Sequence, residues 1–136
     1  MDKLIDLFQA GTVTKEFKTS KLRFTLRTLT ADEIIDVLRR ADILSTSEDT
    51  KVFIAKKLTV AYSLEAVNGV EVLALPEIVR LREKDKEKQT SKVDMLLAVL
   101  GDFEADVIND LFYCYNSLVT ESNKKREELK KVSVAQ

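Results

Sequence analysis

The alternation of apolar and polar residues near the start of the chain predicts a β-hairpin. In the run from Leu22 to Leu29, the apolar residues Leu22, Phe24 and Leu26 alternate with Arg23, Thr25 and Arg27, the period of two that a half-buried strand requires. A second apolar run, Val13 to Phe17, precedes it across a short polar stretch. We therefore expect a hairpin over roughly residues 12–29, with one face apolar and the other carrying basic groups. Residues 3–9 have apolar positions at helical spacing and predict a short lid or anchor helix.

From Thr30 onward the apolar residues recur at the longer spacing of α-helices. Thr30 and Glu33 form a capping box, in which each side chain bonds the backbone N–H of the other residue. The helix that follows, about 31–44, is predicted to turn one apolar stripe inward: Ile34, Val37, Leu38, Ala41 and Leu44. The next helix, 51–67, is apolar around most of its circumference, so we expect it to be central and buried.

The second half of the chain predicts three more helices. One begins at Pro76, one is opened by Ser91 and ended by Gly101, and the longest is capped by Asp102. The apolar stripe of this longest helix stops at Val119, and the chain beyond it is strongly charged. We expect a C-terminal extension that is either a solvated helix or disordered.

These patterns predict an α+β fold, mainly α with a small N-terminal β-hairpin and a compact helical body of about five helices. A single domain is expected over 1–122, with the N-terminal helix and hairpin at 1–29, the helical body at 30–122 and a charged C-terminal extension at 123–136. The charged run 82–91 contains no apolar residue and is expected to be exposed. The predicted core contains Phe24, Leu26, Leu38, Leu58, Tyr62, Ile108, Leu111 and Phe112.

Composition limits the chemistry that this chain can perform. Its 136 residues include no His and a single Cys, which excludes His-based acid/base catalysis, Cys-His nucleophiles, His-containing metal sites and intrachain disulfides. Cys114 shares helical spacing with apolar neighbours and is interpreted as a small core or boundary residue. Asp102, Asp106 and Asp110 recur every four residues, but collinear carboxylates lack the loop that wraps Ca²⁺. We therefore expect no enzyme activity, no cofactor and no bound metal.

The overall charge is almost balanced, with 22 Lys plus Arg against 23 Asp plus Glu. A nucleic-acid partner is not expected, because phosphate binding needs a net basic face. No membrane partner is expected either, since no apolar run approaches the roughly 20 residues that span a bilayer. The first residues lack the pattern of a secretory signal, so a cytoplasmic location is expected.

Charge is nevertheless distributed unevenly along the second half. From Val93 to Ser122 there are six acidic residues and no basic one, whereas Asn123 to Gln136 has five basic residues against two acidic ones. Two interpretations stay open: a solvated face followed by a solubilising tail, or a pair of electrostatic docking surfaces. The candidate partner-binding residues are Asp102, Asp106, Asp110, Lys124, Lys125 and Arg126, with Leu22, Phe24 and Leu26 as a further, apolar surface on the hairpin.

The segment from Lys21 to Glu33 resembles the start of the small tail assembly chaperones of tailed bacteriophages. In that family a short N-terminal helix leads to an apolar and basic strand pair, and then to Leu-Thr-x-x-Glu at the start of an all-helical body. Here Leu29 to Glu33 read Leu-Thr-Ala-Asp-Glu. The stretch Tyr62 to Val70 is similar to the family's common helix that ends in Asn-Gly plus a β-branched residue. The resemblance covers the order of elements from about residue 1 to residue 120.

The resemblance implies a non-enzymatic role in the host cytoplasm, in which the protein keeps the long, aggregation-prone tape-measure protein soluble and recruits tail-tube subunits around it. The phage baseplate hub assembly proteins are a close variant. The implied partners are the tape-measure protein, the tail-tube protein and further copies of the chain, joined head to tail through charged surfaces. The alternative is a structural baseplate or tail-tip subunit that is retained in the virion tail.

Overall fold

The computed structural model describes residues 13–19, 22–84 and 90–134, with side chains described as far as Glu128. Within these residues a four-stranded antiparallel sheet packs on five helices, an α+β and mainly helical fold as predicted. In chain order the elements are β1 Thr14–Lys18, β2 Arg23–Arg27, α1 Ala31–Leu44, α2 Glu48–Ser63, β3 Leu64–Val67, β4 Val70–Glu71, a 3₁₀ turn Val72–Ala74, α3 Pro76–Lys84, α4 Lys92–Leu100 and α5 Ala105–Val134. The predicted helix at 3–9 lies outside the described residues, as do residues 85–89 of the run predicted to be exposed.

The sheet has the strand order β1-β2-β3-β4, and each neighbouring pair is antiparallel. The predicted hairpin is confirmed, since β1 and β2 pair along their whole length with Phe17 opposite Phe24. Phe24 and Leu26 are buried, while Thr25 between them is partly exposed, which is the alternation that the sequence predicted. The hairpin therefore contributes one apolar face to the core.

The second half of the sheet replaces the end of the predicted central helix. α2 ends at Ser63, and Leu64–Val67 is a strand rather than a further helical turn. Asn68 and Gly69 have positive φ angles of 51° and 79°, which two-residue hairpin turns of type I′ require. The Asn68 N–H donates to the Arg23 carbonyl and its Oδ1 accepts from the Arg23 N–H, at 2.8 and 2.9 Å. The predicted end of this helix was wrong because the turn and the pairing with β2 hold the segment extended.

Two predicted helix starts are confirmed by their hydrogen bonds. The Glu33 N–H donates to Thr30 Oγ1 at 3.3 Å, and the Thr30 N–H donates to Glu33 Oε1 at 2.9 Å, which completes the capping box. Ser91 Oγ accepts from the Asp94 N–H at 3.2 Å at the start of α4. Gly101 ends α4 as predicted, although with a φ of −60° instead of a left-handed conformation.

The start of the longest helix differs from the prediction. α5 begins at Ala105, and its first bonded N–H groups donate to the Glu104 carbonyl. Asp102 therefore lies in the turn before α5 and is not its cap. The backbone of α5 continues to Val134, so the C-terminal extension is helical over this range. Ser122 is only 2% exposed, so buried positions on α5 continue about one turn beyond Val119, where the predicted apolar stripe ends.

α2 is the central helix of the core, as predicted. Leu58, Val60 and Ala61 are at most 1% exposed, and α2 packs against α1, α4 and α5. Most of the other predicted core residues also belong to the core. Phe24, Leu26, Ile108 and Leu111 are buried, and Tyr62 and Phe112 are partly buried and pack against the same cluster.

α1 departs most from its predicted burial. Of the five residues predicted to face inward, only Val37 and Ala41 are buried. Ile34, Leu38 and Leu44 are 45%, 59% and 57% exposed. Leu38 is therefore not a core residue, because the body of the protein covers only the narrow strip of α1 around Val37 and Ala41.

Arg27 on β2 forms ion pairs with α1 and with the neighbouring strand β3. Its Nη1 and Nη2 donate to the two carboxylate oxygens of Glu33 at 2.7 and 2.6 Å, and its Nε donates to Glu65 Oε1 at 2.6 Å. Lys92 Nζ lies 3.4 Å from the other oxygen of Glu65. These pairs connect β2 to the first turn of α1, to β3 and to the start of α4. The guanidinium of Arg27 is thus engaged within the fold, although it lies on the basic face of the hairpin.

A second group of bonds joins α1 to α2 and α4. Arg40 Nη2 donates to Asp94 Oδ1 at 2.5 Å, and the Tyr62 hydroxyl donates to Asp36 Oδ2. Helical geometry places Asp36 and Arg40 on the flank of α1 opposite Leu38. The bonds therefore fix the rotation of α1 such that Leu38 points away from α4.

Acid should destabilise the protein as these carboxyl groups titrate. Hydrogen bonds from Arg27 lower the pKa of Glu33 below its usual value of 4.5, and the Tyr62 hydroxyl lowers the pKa of Asp36 below its usual 3.8. A carboxyl group whose pKa is lowered on folding stabilises the folded state above its unfolded pKa, and this stabilisation is lost as the pH falls through the folded value. We expect the free energy of unfolding, measured by urea titration, to fall progressively below about pH 4.5.

The contribution of Glu33 can be separated from that of other acidic residues. Glu33→Gln should weaken the acid dependence, because the variant has no carboxyl group to titrate at this position. Glu16→Gln, the same chemical change at an exposed position on β1, is the matched control. A Glu33→Gln protein whose stability falls as steeply with acid as that of the wild type would contradict the assignment.

Candidate functional site

Exposed apolar residues are concentrated on α1. Six of the nine large apolar side chains that are exposed in the described part of the chain lie on α1 or at the start of α2. They are Ile34, Ile35, Leu38, Ile43, Leu44 and Val52, with exposed fractions from 45% to 72%. Single exposed apolar residues are ordinary on protein surfaces, whereas a concentration on one element is typical of an interaction site.

An apolar groove with a volume of about 410 Å³ lies between α1, α2 and α5. Leu29, Val37 and Tyr115 form its floor, and each is at most 8% exposed. Among the described residues the lining consists of Leu29, Ile34, Val37, Leu38, Val52, Ala55, Lys56, Thr59, Phe112 and Tyr115. The exposed residues of α1 and α2 form the rim, so this apolar groove opens directly onto the exposed apolar surface.

The few polar atoms of the apolar groove are mostly satisfied from within. The Thr59 hydroxyl donates to the Ala55 carbonyl at 2.8 Å. Burial raises the pKa of Tyr115, so its phenol stays neutral at physiological pH. The rings of Phe112 and Tyr115 stack with their centroids 6.2 Å apart. The lining residues that the structure describes thus offer apolar and aromatic contact and include no acid/base pair.

Lys56 brings the one charge to the lining of the apolar groove among the described residues. Its Nζ lies 5.7 Å from the centroid of the Phe112 ring and 3.4 Å from Asn109 Oδ1. No described carboxylate lies within ion-pair distance of this ammonium group. The groove therefore has an apolar floor and a positive charge, without a countercharge, on one wall.

The acidic residues singled out in the sequence do not form one surface. Asp106 and Asp110 are exposed on the first turns of α5, whereas Asp102 lies before the helix. Asp102 instead borders a second groove of about 670 Å³ together with Arg80 and Lys84 of α3. The predicted row of three carboxylates was wrong because the spacing of four residues has helical meaning only from Ala105 onward. Among the described residues no group of three or more Cys, Asp or Glu could hold a metal ion.

The basic residues singled out in the sequence lie on the second half of α5. Lys124 and Lys125 are exposed, and Arg126 is partly buried. Lys124 lies beside an ion pair between Lys15 Nζ and Glu121 Oε2, at 3.1 Å, which ties β1 to α5. The acidic and basic residues of α5 are thus both accessible, but they are separated along the helix.

The apolar hairpin residues are not available to a partner. Phe24 and Leu26 are 2% and 0% exposed, and Leu22 is partly buried against the same core. The assignment of Phe24 and Leu26 as partner-binding residues was wrong, because the face that the hairpin alternation creates is already covered by the helices. Their role is the one predicted for them in the core.

Cys114 occupies a boundary position on α5, as expected. Its side chain is partly buried, and burial together with the nearby Asp110 carboxylate raises the pKa of the thiol. The protonated thiol is a poor nucleophile, which agrees with a structural role.

Among the described helices, none is long and apolar enough to cross a membrane.

The sequence contains a signal for the exposed apolar surface in addition to the predicted inward stripe of α1. Ile35 and Ile43 lie outside the predicted inward stripe of α1, so apolar residues cover more of this helix than one packing face needs. Lys56 gave no separate signal, because a lysine on a helix is ordinary. Comparison with known proteins adds no assignment, since no protein-family model, curated protein or solved structure matches the chain.

Proposed function

We propose that the chain is a non-enzymatic binding protein of phage tail assembly, a chaperone that holds the tape-measure protein soluble and recruits tail-tube subunits around it. The observation that carries this proposal is the exposed apolar surface of α1 with the apolar groove beside it. The resemblance of residues 21–33 and 62–70 to tail assembly chaperones supports the identity of the client.

A chaperone for a long helical client needs an apolar surface that covers the client's own apolar stripes. Ile35, Leu38 and Ile43 are each about 60% to 70% exposed, so they are in place to make such contacts. The role requires no catalytic group, in keeping with an apolar groove that holds a neutral tyrosine and one lysine. Several copies along one client would add their modest affinities.

The charged residues of α5 provide a second element of the proposal. Asp106, Asp110, Lys124 and Lys125 are exposed and can steer a client or join one copy to the next. An interaction of this kind weakens with salt, because exposed charges are screened beyond about 8 Å at physiological ionic strength. The apolar contact should be far less sensitive to salt, which allows the two contributions to be separated.

Co-expression with the tape-measure protein tests the proposed function. Leu38→Asp should lower the soluble fraction of the client several-fold, because it places a charge on the rim of the apolar groove. The variant should fold, since Leu38 is 59% exposed. Leu73→Asp is the matched control, because it makes the same chemical change at a position that is 40% exposed and belongs neither to the exposed apolar surface of α1 nor to the lining of the groove.

Equal client solubility with the wild type and with Leu38→Asp would reject the apolar groove as the client site. Purified phage particles distinguish the alternative function. A chain that is retained in stoichiometric amounts in mature particles would favour a structural baseplate or tail-tip subunit, whereas a chaperone is absent from them.

A further inference from the structure

We propose that the apolar groove binds a single amphipathic α-helix of another protein, and that this helix carries an acidic side chain which meets Lys56. The inference rests on the proposed function only for the source of the helix, the tape-measure protein. The residues of the groove itself determine which kind of helix it can bind.

The length of the apolar groove matches the spacing of side chains along a helix. Its lining on α2 runs from Val52 to Thr59, about two helical turns or roughly 10 Å along the axis. A helix laid along this distance presents side chains at positions i, i+3, i+4 and i+7 on one face. The side chains of such an apolar stripe can contact both Leu38 on the exposed rim of the groove and Val37 on its buried floor.

A helix suits this groove better than an extended peptide. The described lining residues belong to three helices and to the connection before α1, so this part of the chain offers the groove no strand edge whose backbone could pair with a peptide. The hydroxyl of Thr59 is already bonded to the Ala55 carbonyl. An extended segment would leave its backbone N–H and C=O groups without partners, whereas a helix bonds its own.

Lys56 determines the charge that the partner must bring. Its ammonium group lies over the Phe112 ring and 3.4 Å from Asn109 Oδ1, on one wall of the apolar groove, with no described carboxylate within 4.0 Å. Covering the groove removes water from this charge, which is unfavourable unless a countercharge replaces the water. An Asp or Glu on the flank of the partner's apolar stripe supplies that countercharge.

Two synthetic peptides of about 18 residues, above the length at which isolated helices are marginal, test the inference directly. Both carry Leu at i, i+3, i+4 and i+7, and they differ in one flanking residue, which is Glu in one and Lys in the other. Binding to the full-length protein is followed by fluorescence anisotropy at low salt. We expect the wild type to bind the Glu peptide about threefold to tenfold more tightly than the Lys peptide.

Variants of the protein assign this preference to one residue. Lys56→Glu should reverse the preference between the two peptides. Lys57→Glu, the same charge change at the next position, should retain it, because Lys57 lies beside Gly101 and does not line the apolar groove. Leu38→Asp should weaken binding of both peptides by about tenfold or more, because a charge then enters the apolar contact.

Several results would overturn the inference. Equal affinity of the wild type for both peptides would remove the role of Lys56, and unchanged binding by Leu38→Asp would remove the groove. Binding only after deletion of residues 1–12 would assign the groove to the chain's own N-terminal sequence. The protein could also form a dimer that Leu38→Asp dissociates and with which neither peptide competes. That result would assign the apolar groove to a second copy of the chain.

The outcome is separable from that of the proposed function. If the Glu peptide binds as expected while Leu38→Asp leaves tape-measure solubility unchanged, the helix-binding groove stands and the chaperone role fails. If neither peptide binds while Leu38→Asp lowers tape-measure solubility, the chaperone role stands and the helix-binding inference fails.

Discussion

Leu58→Ala should lower the free energy of unfolding by about 2–5 kcal/mol, the range for truncating a fully buried leucine. Leu58 is 1% exposed at the centre of α2, which packs against α1, α4 and α5. Elements on several sides hold the surroundings in place, so a cavity there cannot collapse easily. Chemical denaturation followed by circular dichroism measures the loss, with the denaturant slope checked for a change of unfolded state.

Val52→Ala is the matched control for this prediction. It removes aliphatic carbon from the same helix at a position that is 54% exposed, so the free energy of unfolding should change by no more than about 0.5 kcal/mol. A loss below about 1 kcal/mol for Leu58→Ala would show that α2 is not the centre of the core. The comparison separates the cavity from any general effect of alanine in this helix.

Most of the fold could be predicted from local signals that tertiary packing does not override. Thr30 and Glu33 satisfy each other's backbone groups within one helical turn, so the capping box fixes the start of α1 wherever the helix packs. The alternation around Phe24 likewise fixes which face of β2 is buried. In both cases the cause of the structure lies within a few residues.

The end of α2 could not be predicted because its determinant is distant in sequence. Leu64 and Ala66 fit a helical stripe as well as a strand face. What decides between the two is pairing with β2, where Phe24 lies opposite Val67, together with the Asn-Gly turn that closes the second hairpin. Hairpin turns with two positive φ angles suit Asn-Gly, so the dipeptide was compatible with both a helix stop and a strand turn.

The exposed apolar surface of α1 could not be predicted for a related reason. An amphipathic stripe shows which face of a helix is apolar, but it does not show how much of that face the body covers. On α1 the body reaches Val37 and Ala41 and leaves Leu38 and Ile34 outside. The sequence therefore predicted Leu38 to be a core residue, whereas the structure leaves it exposed. Phe24 and Leu26 were predicted both in the core and on a binding surface, and the structure places them in the core.

Arg27→Met should lower the free energy of unfolding by about 2 kcal/mol. Methionine keeps the aliphatic stem but removes the donors that bind Glu33 and Glu65. The side chains of Arg27 and Glu33 are only 20% and 19% exposed, so the two carboxylates would lose their countercharge while partly shielded from water. The loss is smaller than for a fully buried pair because water still reaches these groups.

Arg23→Met provides the control, since it makes the same chemical change on the same strand at an exposed position. Its free energy of unfolding should remain within about 0.5 kcal/mol of the wild type. Adding Glu33→Gln to Arg27→Met should restore part of the lost stability, because it removes one of the carboxylates left without a partner. If Arg27→Met and Arg23→Met unfold at the same denaturant concentration, Arg27 contributes no more than an exposed arginine, and its ion pairs do not stabilise the contact of β2 with α1 and β3.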